Sequence, residues 1–386
     1  TPIRQEVLQA YEKILKTYYA NADSLHQAGR KVQSLLETSR ANIAQLFHVQ
    51  PREIMFTSCA SEANNYALKG FALANQQRGR HIITSCAEHS SIMSSAAQLQ
   101  EVFGFEVTYL PVSDKGLVTA DQVENAIRED TALVSVMYAN NEIGTIQPIP
   151  EIGAVCKKHG VLFHTDAVQA AGHIKIDVKE MNIDMLSLSA HKFHGPKGTG
   201  AFYCRRGIAL NSLIDGGAQE RGKRAGTENV AGIVGLGTAI RIANEEMEET
   251  TKRVSAMRDR LIDGILEKIP QCRLNGPREN RLPGNCNISF LGIEGESLLL
   301  RLDLAGIAAS SGSACASSSL DPSHVLLAIG LPHEVAHGSV RLSLSDFNTE
   351  EDVDYILEKL PEIVSTLRSM SPLWEAMQKG EVSYEL

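Results

Sequence analysis

The stretch DMLSLSAHKFHGPKGTGAFYCRR, residues 184–206, decides the fold. A short apolar run, 184–189, stops abruptly at Ser, His and Lys. It turns through Gly195, Pro196 and Gly198, then resumes as a second run at 200–206. Apolar runs of this length, bounded by turn residues, read as buried strands. The pattern recurs upstream in IMFTS (54–58), HIITS (81–85), EVTYLP (106–111), ALVSVMYA (132–139) and VLFHT (161–165). Helical stretches such as TADQVENAIRED (119–130) and PEIGAVCKKHG (150–160) lie between them. Strands separated by helices of this length predict right-handed crossovers and a mostly parallel sheet, an α/β fold.

Beyond this region the rhythm changes. Residues 229–269 read as helical and charged, as one long helix or two. Then follow NCNISFLGI (285–293), GESLLLRLDLAGI (295–307), AHGSVRLSLS (336–345) and a helical TEEDVDYILEKLPEIVSTLRSM (349–370). The expected organisation is a large α/β domain at 1–249 and a smaller α+β domain at 250–386. A chain of 386 residues exceeds what one core usually serves.

Composition narrows the function. Apolar residues make up 43% and charged residues 22%, and the net charge is −9. With no Lys/Arg block, neither a nucleic-acid backbone nor an anionic membrane is the expected partner. The longest uncharged run of apolar residues and glycine, near NVAGIVGLGTAI (229–240), is too short and Gly-rich to span a bilayer. The opening TPIRQEVLQAYEK carries no signal-peptide core. The seven cysteines are odd in number and nowhere spaced as CxxC. They read as reduced thiols of a cytoplasmic protein. There is no HExxH, and His191 and His194 flank Lys192 in a Gly/Pro-rich segment, so no metal is expected.

In open parallel sheets, ligands bind beyond the carboxyl ends of the strands. Three such ends are polar here: ANNEIG (139–144), DAVQ (166–169) and SAHKFHGPKG (189–198). A lone Lys192 reads as a solvent-facing loop residue. Beside Ser189 and His191, which can hold an anion, it also fits a Schiff base with a carbonyl cofactor. Lys197, beyond the proline, reads as solvated. Asp166 is either a helix cap or the carboxylate that keeps a pyridine nitrogen protonated. In TSCASEANNYALKG (57–70) a strand turns into a helix whose first amides, with the Ser61 hydroxyl, make a cap or a phosphate site. His89 reads as a capping residue or as a flat ring able to move protons. Arg341, in an apolar strand pattern, either pairs or aims at a substrate carboxylate. Cys315 lies in ASSGSACASSS (309–319), a tether with almost nothing for a thiol to pack against.

Taken in order, FTSCASEANN (56–65), EH (88–89), ANNEIGTIQPI (139–149), FHTDAVQAAG (163–172), SAHKFHGPKG (189–198), GGAQERGKRAGTEN (216–229), IEGESLL (293–299), SSGSACASSSLDPSHV (310–325), AHGSVRLSLSDFNTEE (336–351) and SPLWE (371–375) resemble the pyridoxal-phosphate-dependent cysteine desulfurases. These belong to the class V aminotransferase group, and the likeness is to the nitrogen-fixation and iron–sulfur type. The resemblance implies a fold type I transferase with a mostly parallel seven-stranded sheet and a smaller C-terminal α+β domain carrying a mobile Cys315 loop. It implies pyridoxal 5′-phosphate held covalently by Lys192, with Asp166 on the ring nitrogen, Gln169 on the ring hydroxyl and His89 stacked on the ring. It implies that the amide of Ala60, with Ser61, Ser189, His191 and Thr227, holds the phosphate. Thr227 would come from the partner subunit of a homodimer. Asn141 and Arg341 would take the substrate carboxylate. Lys192 would move the substrate α-proton, and Cys315 would take the sulfur of L-cysteine as a persulfide, leaving L-alanine. The persulfide would pass to an acceptor such as an iron–sulfur scaffold. Two departures stand out: NADSLH (21–26) lacks the family's proline, and Ser61 stands where threonine is commoner. The other six cysteines are expected to be structural.

Overall fold

Aliphatic and β-branched residues without charges can be covered on both faces, and the large sheet is built from such runs. The structure, a computed structural model, describes residues 1–311 and 322–384. Seven strands, β1 (Ile54–Thr57), β2 (His81–Ser85), β3 (Glu106–Leu110), β4 (Thr131–Ser135), β5 (Leu162–Asp166), β6 (Met185–Ser189) and β7 (Gly200–Cys204), form one sheet in the order β1-β7-β6-β5-β4-β2-β3. All neighbouring pairs from β3 through β6 are parallel. β7 alone runs antiparallel to both its neighbours, β6 and β1. Every residue of β2, β4, β5 and β6 is buried, as in sheets with helices on both faces. The run expected at 132–139 pairs as β4 only to Ser135. Val136 and Tyr138 then go on donating to the His164 and Asp166 carbonyls, at 3.2 and 2.8 Å.

Two histidines tie the sheet from within. His81 meets Thr131 of β4 at 2.7 Å and Thr108 of β3 at 2.8 Å. His164 meets Ser135 of β4 at 2.9 Å and Ser187 of β6 at 3.0 Å. Each ring thus bridges three adjacent strands. Burial pushes His164 down to about 3, so its ring is neutral and both nitrogens find hydroxyl partners.

The chain divides into two compact units. The first comprises 1–110, 118–139 and 147–247 and contains the seven-stranded sheet. Tyr66, Phe71, Ile82, Leu99, Leu133 and Phe202 are at its core. The second comprises 111–117, 140–146 and 248–386. Its antiparallel sheet, β8 (Cys272–Leu274), β9 (Asn285–Phe290) and β10 (Ser339–Ser343), is ordered β10-β9-β8. Helices Gly295–Leu304 and Glu350–Ser369 bring Leu298, Leu302, Val353 and Leu360 to a core with Ile288 and Val340. Two short segments that precede residue 249 therefore belong with the second unit. Residues Val230–Lys268 are one unbroken helix of 39 residues, whose chain passes from the first unit into the second at residue 248. Among the described residues, no helix is long and apolar enough to cross a membrane.

Candidate active site

The carboxyl ends of β2, β5 and β6 present the polar residues of the first unit. Asp166 is the last residue of β5 and is buried. Its Oδ1 accepts from the Val168 N–H at 3.0 Å, and its Oδ2 accepts from Asn64 Nδ2 at 2.7 Å. One oxygen thus caps the following turn, the first of its sequence readings, while the other meets a buried side chain. Asn64 is buried in helix Ala60–Asn65, and its Nδ2 also donates to Ser91 Oγ at 2.9 Å. Ser91 Oγ lies 2.8 Å from His89 Nδ1, which also accepts from the Ser91 N–H at 3.1 Å. His89 is therefore the N-cap of helix Ser90–Phe103. Glu88, next to it, is fully buried and accepts from Ser85 Oγ at 2.7 Å and from the Met137 N–H at 2.9 Å. Burial pushes the Glu88 carboxyl up to about 8.

The anion side rests on two turns. Helix Ala60–Asn65 starts after Cys59, which has extended backbone, and its first turn carries Ala60 and Ser61. Glu62 accepts from the Ser58 N–H at 2.8 Å and from Arg224 Nε at 3.0 Å. Against the penalty of burial, these bonds hold its carboxyl below the usual range. Ser189 ends β6 and is buried. The single turn Ala190–Phe193 then carries His191 and Lys192, and His194 closes it in the left-handed region at φ 62. Burial, and then the charge of Lys192, push His191 down to about 4. Gly200, at the start of β7, tolerates no side chain: a Cβ there would lie 2.8 Å from both the Cys59 carbonyl carbon and the Leu188 oxygen. This glycine lets the helix start and the β6 end approach each other closely. Gln169 is half-buried in the turn after Asp166, and Thr227 is exposed.

The second unit makes its own cluster. Arg341 of β10 donates from Nη1 to the Asn141 carbonyl at 2.8 Å. The neighbouring Glu142 carbonyl accepts from Asn285 Nδ2 and Asn287 Nδ2, each at 3.0 Å. The buried Glu142 carboxyl accepts from Ser323 Oγ. Burial pushes that carboxyl up to about 7, although Ser323 and the Arg341 charge oppose the shift. The turn needs Gly144, at φ +75, where a Cβ would meet Arg281 Cγ and Asn285 Oδ1 at 2.8 Å.

Of the residues expected from sequence, the structure links Asp166 with His89, and Asn141 with Arg341. It sets Ser189, His191 and Lys192 in one turn and puts Ala60 and Ser61 at one helix start. Cys315 lies outside the described residues. Four residues joined to these clusters escaped the sequence reading: Asn64, Ser91, Glu88 and Glu142. Among the described residues, no group of three or more His, Cys, Asp or Glu side chains is placed to hold a metal ion.

A lysine one turn beyond a parallel strand, a buried aspartate on the adjacent strand end and a helix start nearby define a familiar class. The class-V aminotransferase family model matches residues 1–356, and the chain belongs to that family. The chain is 55% identical over 383 residues to cysteine desulfurase IscS of Clostridium botulinum (strain Hall), covering 99% of this chain and 96% of the relative. It is 54% identical over 373 residues to cysteine desulfurase IscS of Methanosarcina thermophila, covering 97% and 92%. Among solved structures, a NifS-like protein matches with a TM-score of 0.89 at 40% identity, covering 95% of this chain and 97% of that one. SspA in complex with cysteine matches with a TM-score of 0.80 at 38% identity, covering 90% and 97%. Within its family the chain is a cysteine desulfurase.

Proposed function

We propose that the first unit holds pyridoxal 5′-phosphate and that the chain carries the sulfur of L-cysteine on Cys315. The observation that carries this reading is Asp166, buried at the end of β5 with one oxygen already fixed by Asn64. Its strand pairs with β6, which leads directly into Lys192. The donor set fits the cofactor. Asp166 offers an acceptor to a ring N–H, and Gln169 follows one helical turn later. Ser61, Ser189, His191 and the Ala60 amide are donors to a phosphate. Burial, and then the charge of Lys192, keep the His191 ring neutral, so it can offer one N–H to a phosphate.

When bound, pyridoxal phosphate supplies an aldehyde carbon and an electron-withdrawing ring that weakens bonds at the amino acid's Cα and Cβ. Lys192 Nζ would be the group that holds the cofactor's aldehyde and, when free, the base that takes the proton from the substrate Cα. His89 would stack on the ring and move a proton between the substrate and solvent. Asn141 and Arg341 take the substrate carboxylate. The Cys315 thiolate then attacks the substrate sulfur. An S–S bond forms and the Cβ–S bond breaks. The electron pair of the broken bond stays on Cβ, which would take up one proton, and Lys192 would return the proton it holds to Cα as L-alanine leaves. No outside oxidant is needed, because the sulfur enters the persulfide as the carbon is reduced.

The persulfide is passed to an acceptor protein of iron–sulfur cluster assembly, in the cytoplasm. The free thiols among the described residues fit that compartment. Thr227, exposed in a Gly-rich segment, completes the phosphate site of a second copy in a homodimer.

The test is to mix the purified protein with L-cysteine, omit reductant, and weigh the peptide containing Cys315. One added sulfur, absent in Lys192→Ala, is the expected result. A yellow, cofactor-loaded protein that gains no sulfur there would overturn the Cys315 route.

A further inference from the structure

Asn64 sits where two functional side chains meet, and its own position is over-determined. It is 1% exposed, so its amide has no water to fall back on. Both Nδ2 hydrogens are spent: one on Asp166 Oδ2 at 2.7 Å, the other on Ser91 Oγ at 2.9 Å. Oδ1 has no hydrogen-bond partner. The opposite amide orientation would turn that oxygen toward a carboxylate oxygen, leaving two acceptors face to face. The observed orientation therefore follows from the chemistry of its neighbours.

The consequence passes along the chain of bonds. Ser91 Oγ accepts from Asn64, so its own hydrogen is directed to the remaining neighbour, His89 Nδ1, 2.8 Å away. The Ser91 N–H donates to the same nitrogen. Nδ1 thus serves as an acceptor twice over, and in the neutral ring the proton stands on Nε2.

Resting on the function proposed above, we infer that Asn64 is a positioning residue that holds Asp166 Oδ2 and, through the Ser91 hydroxyl, directs a second hydrogen bond onto His89 Nδ1, reinforcing the Nε2–H tautomer that the Ser91 N–H already favours. One buried amide thereby couples the carboxylate assigned to the cofactor nitrogen to the imidazole assigned to proton movement. Neither side chain can reorient without disturbing the other. An ordinary packing residue would have no reason to leave a buried carbonyl oxygen unpartnered while spending both hydrogens on site residues.

The test uses the full chain with histidines labelled in nitrogen-15, stripped of cofactor, as wild type, Asn64→Ala and Ser91→Ala. The His89 signals are assigned by their loss in His89→Gln. Wild type is expected to show the Nε2–H pattern; both variants keep it, because the Ser91 N–H still donates to Nδ1, but the His89 Nδ1 signal should shift as the hydroxyl bond is lost in Ser91→Ala or loosened in Asn64→Ala. In the loaded enzyme, Asn64→Ala should lower kcat about 10-fold, with KM for L-cysteine changing less than about twofold. It should also move the cofactor's visible absorption band, which Ser91→Ala should leave in place, because only the first severs the Asp166 end. Unchanged His89 signals in a folded Ser91→Ala protein would overturn the coupling, whatever Asn64→Ala does. If Asn64→Ala fails to fold, the Ser91→Ala spectrum decides alone. Because the tautomer is read without cofactor or substrate, this result stands apart from success or failure of the sulfur-transfer assay.

Discussion

Lowering the pH from about 7 to about 5 should cost the fold about 2 kcal/mol through His164 alone. His164 is fully buried between β4 and β6, bonded to Ser135 and Ser187. Burial places its proton affinity at about 3 in the fold, against an ordinary value of 6.5. The unfolded chain therefore takes up a proton on this ring in a range where the folded chain does not. Stability from this group is whole above pH 6.5, declines as the pH falls, and is gone near 3. At about 1.4 kcal/mol per pH unit, the drop from 6.5 to 5 amounts to about 2 kcal/mol. The assay is urea unfolding at several pH values, followed by circular dichroism, for wild type and His164→Leu. Leucine removes the titrating ring. It lowers overall stability by leaving Ser135 and Ser187 without it, but its curve should fall less steeply with acid. Glu88 and Glu142, raised by burial to about 8 and about 7, carry slopes of opposite sign, and these cancel in the comparison. Parallel curves for the two proteins would refute the argument and mean that His164 binds a proton inside the sheet.

Two further outcomes follow from charges held in place. Arg341→Lys loses the planar fork that suits a carboxylate. KM for L-cysteine should rise about 10-fold or more, with a smaller change in kcat, measured by alanine release. Arg40, 4% exposed, donates to both Glu220 oxygens at 2.8 and 2.9 Å. Arg40→Ala leaves the buried Glu220 carboxylate without its cation and should lower stability by about 3 kcal/mol, read as a drop in Tm.

Sequence reading located the strands because each apolar run ends in an abrupt polar cluster, and those ends carry the candidate site. Asp166, Lys192, Ser189 and His191 were legible for that reason. The reversal of β7 was legible too, had loop length been weighed. Only residues 190–199 join β6 to β7, fewer than a parallel crossover needs. Asn64 was not legible. It is an ordinary polar residue inside a helix, and its role exists only because Asp166, 102 positions away, turns toward it. Glu142 was hidden likewise, since its partners Asn285, Asn287 and Ser323 are remote in the chain. Nor could periodicity show that 140–146 belongs with the second unit, because that membership is a matter of long-range packing.

The interleaving of the two units has a consequence for how the chain is made. The segment 140–146 leaves the ribosome well before its partners do, since Asn285 follows Glu142 by 143 residues. At a typical synthesis rate this is a delay of roughly 10–30 s. Throughout it, the Glu142 carbonyl lacks Asn285 and Asn287 of β9, and Thr145 lacks the bridge it makes with Arg281. The nascent chain can assemble Asp166, Asn64 and His89 while Asn141 still waits for Arg341. A chain cut short before β10 would keep Asp166, Lys192 and His89, which we propose hold the cofactor, but would lack Arg341, which we propose for the substrate carboxylate. On the proposed function, complete synthesis thus acts as a licence, because the substrate clamp is finished last.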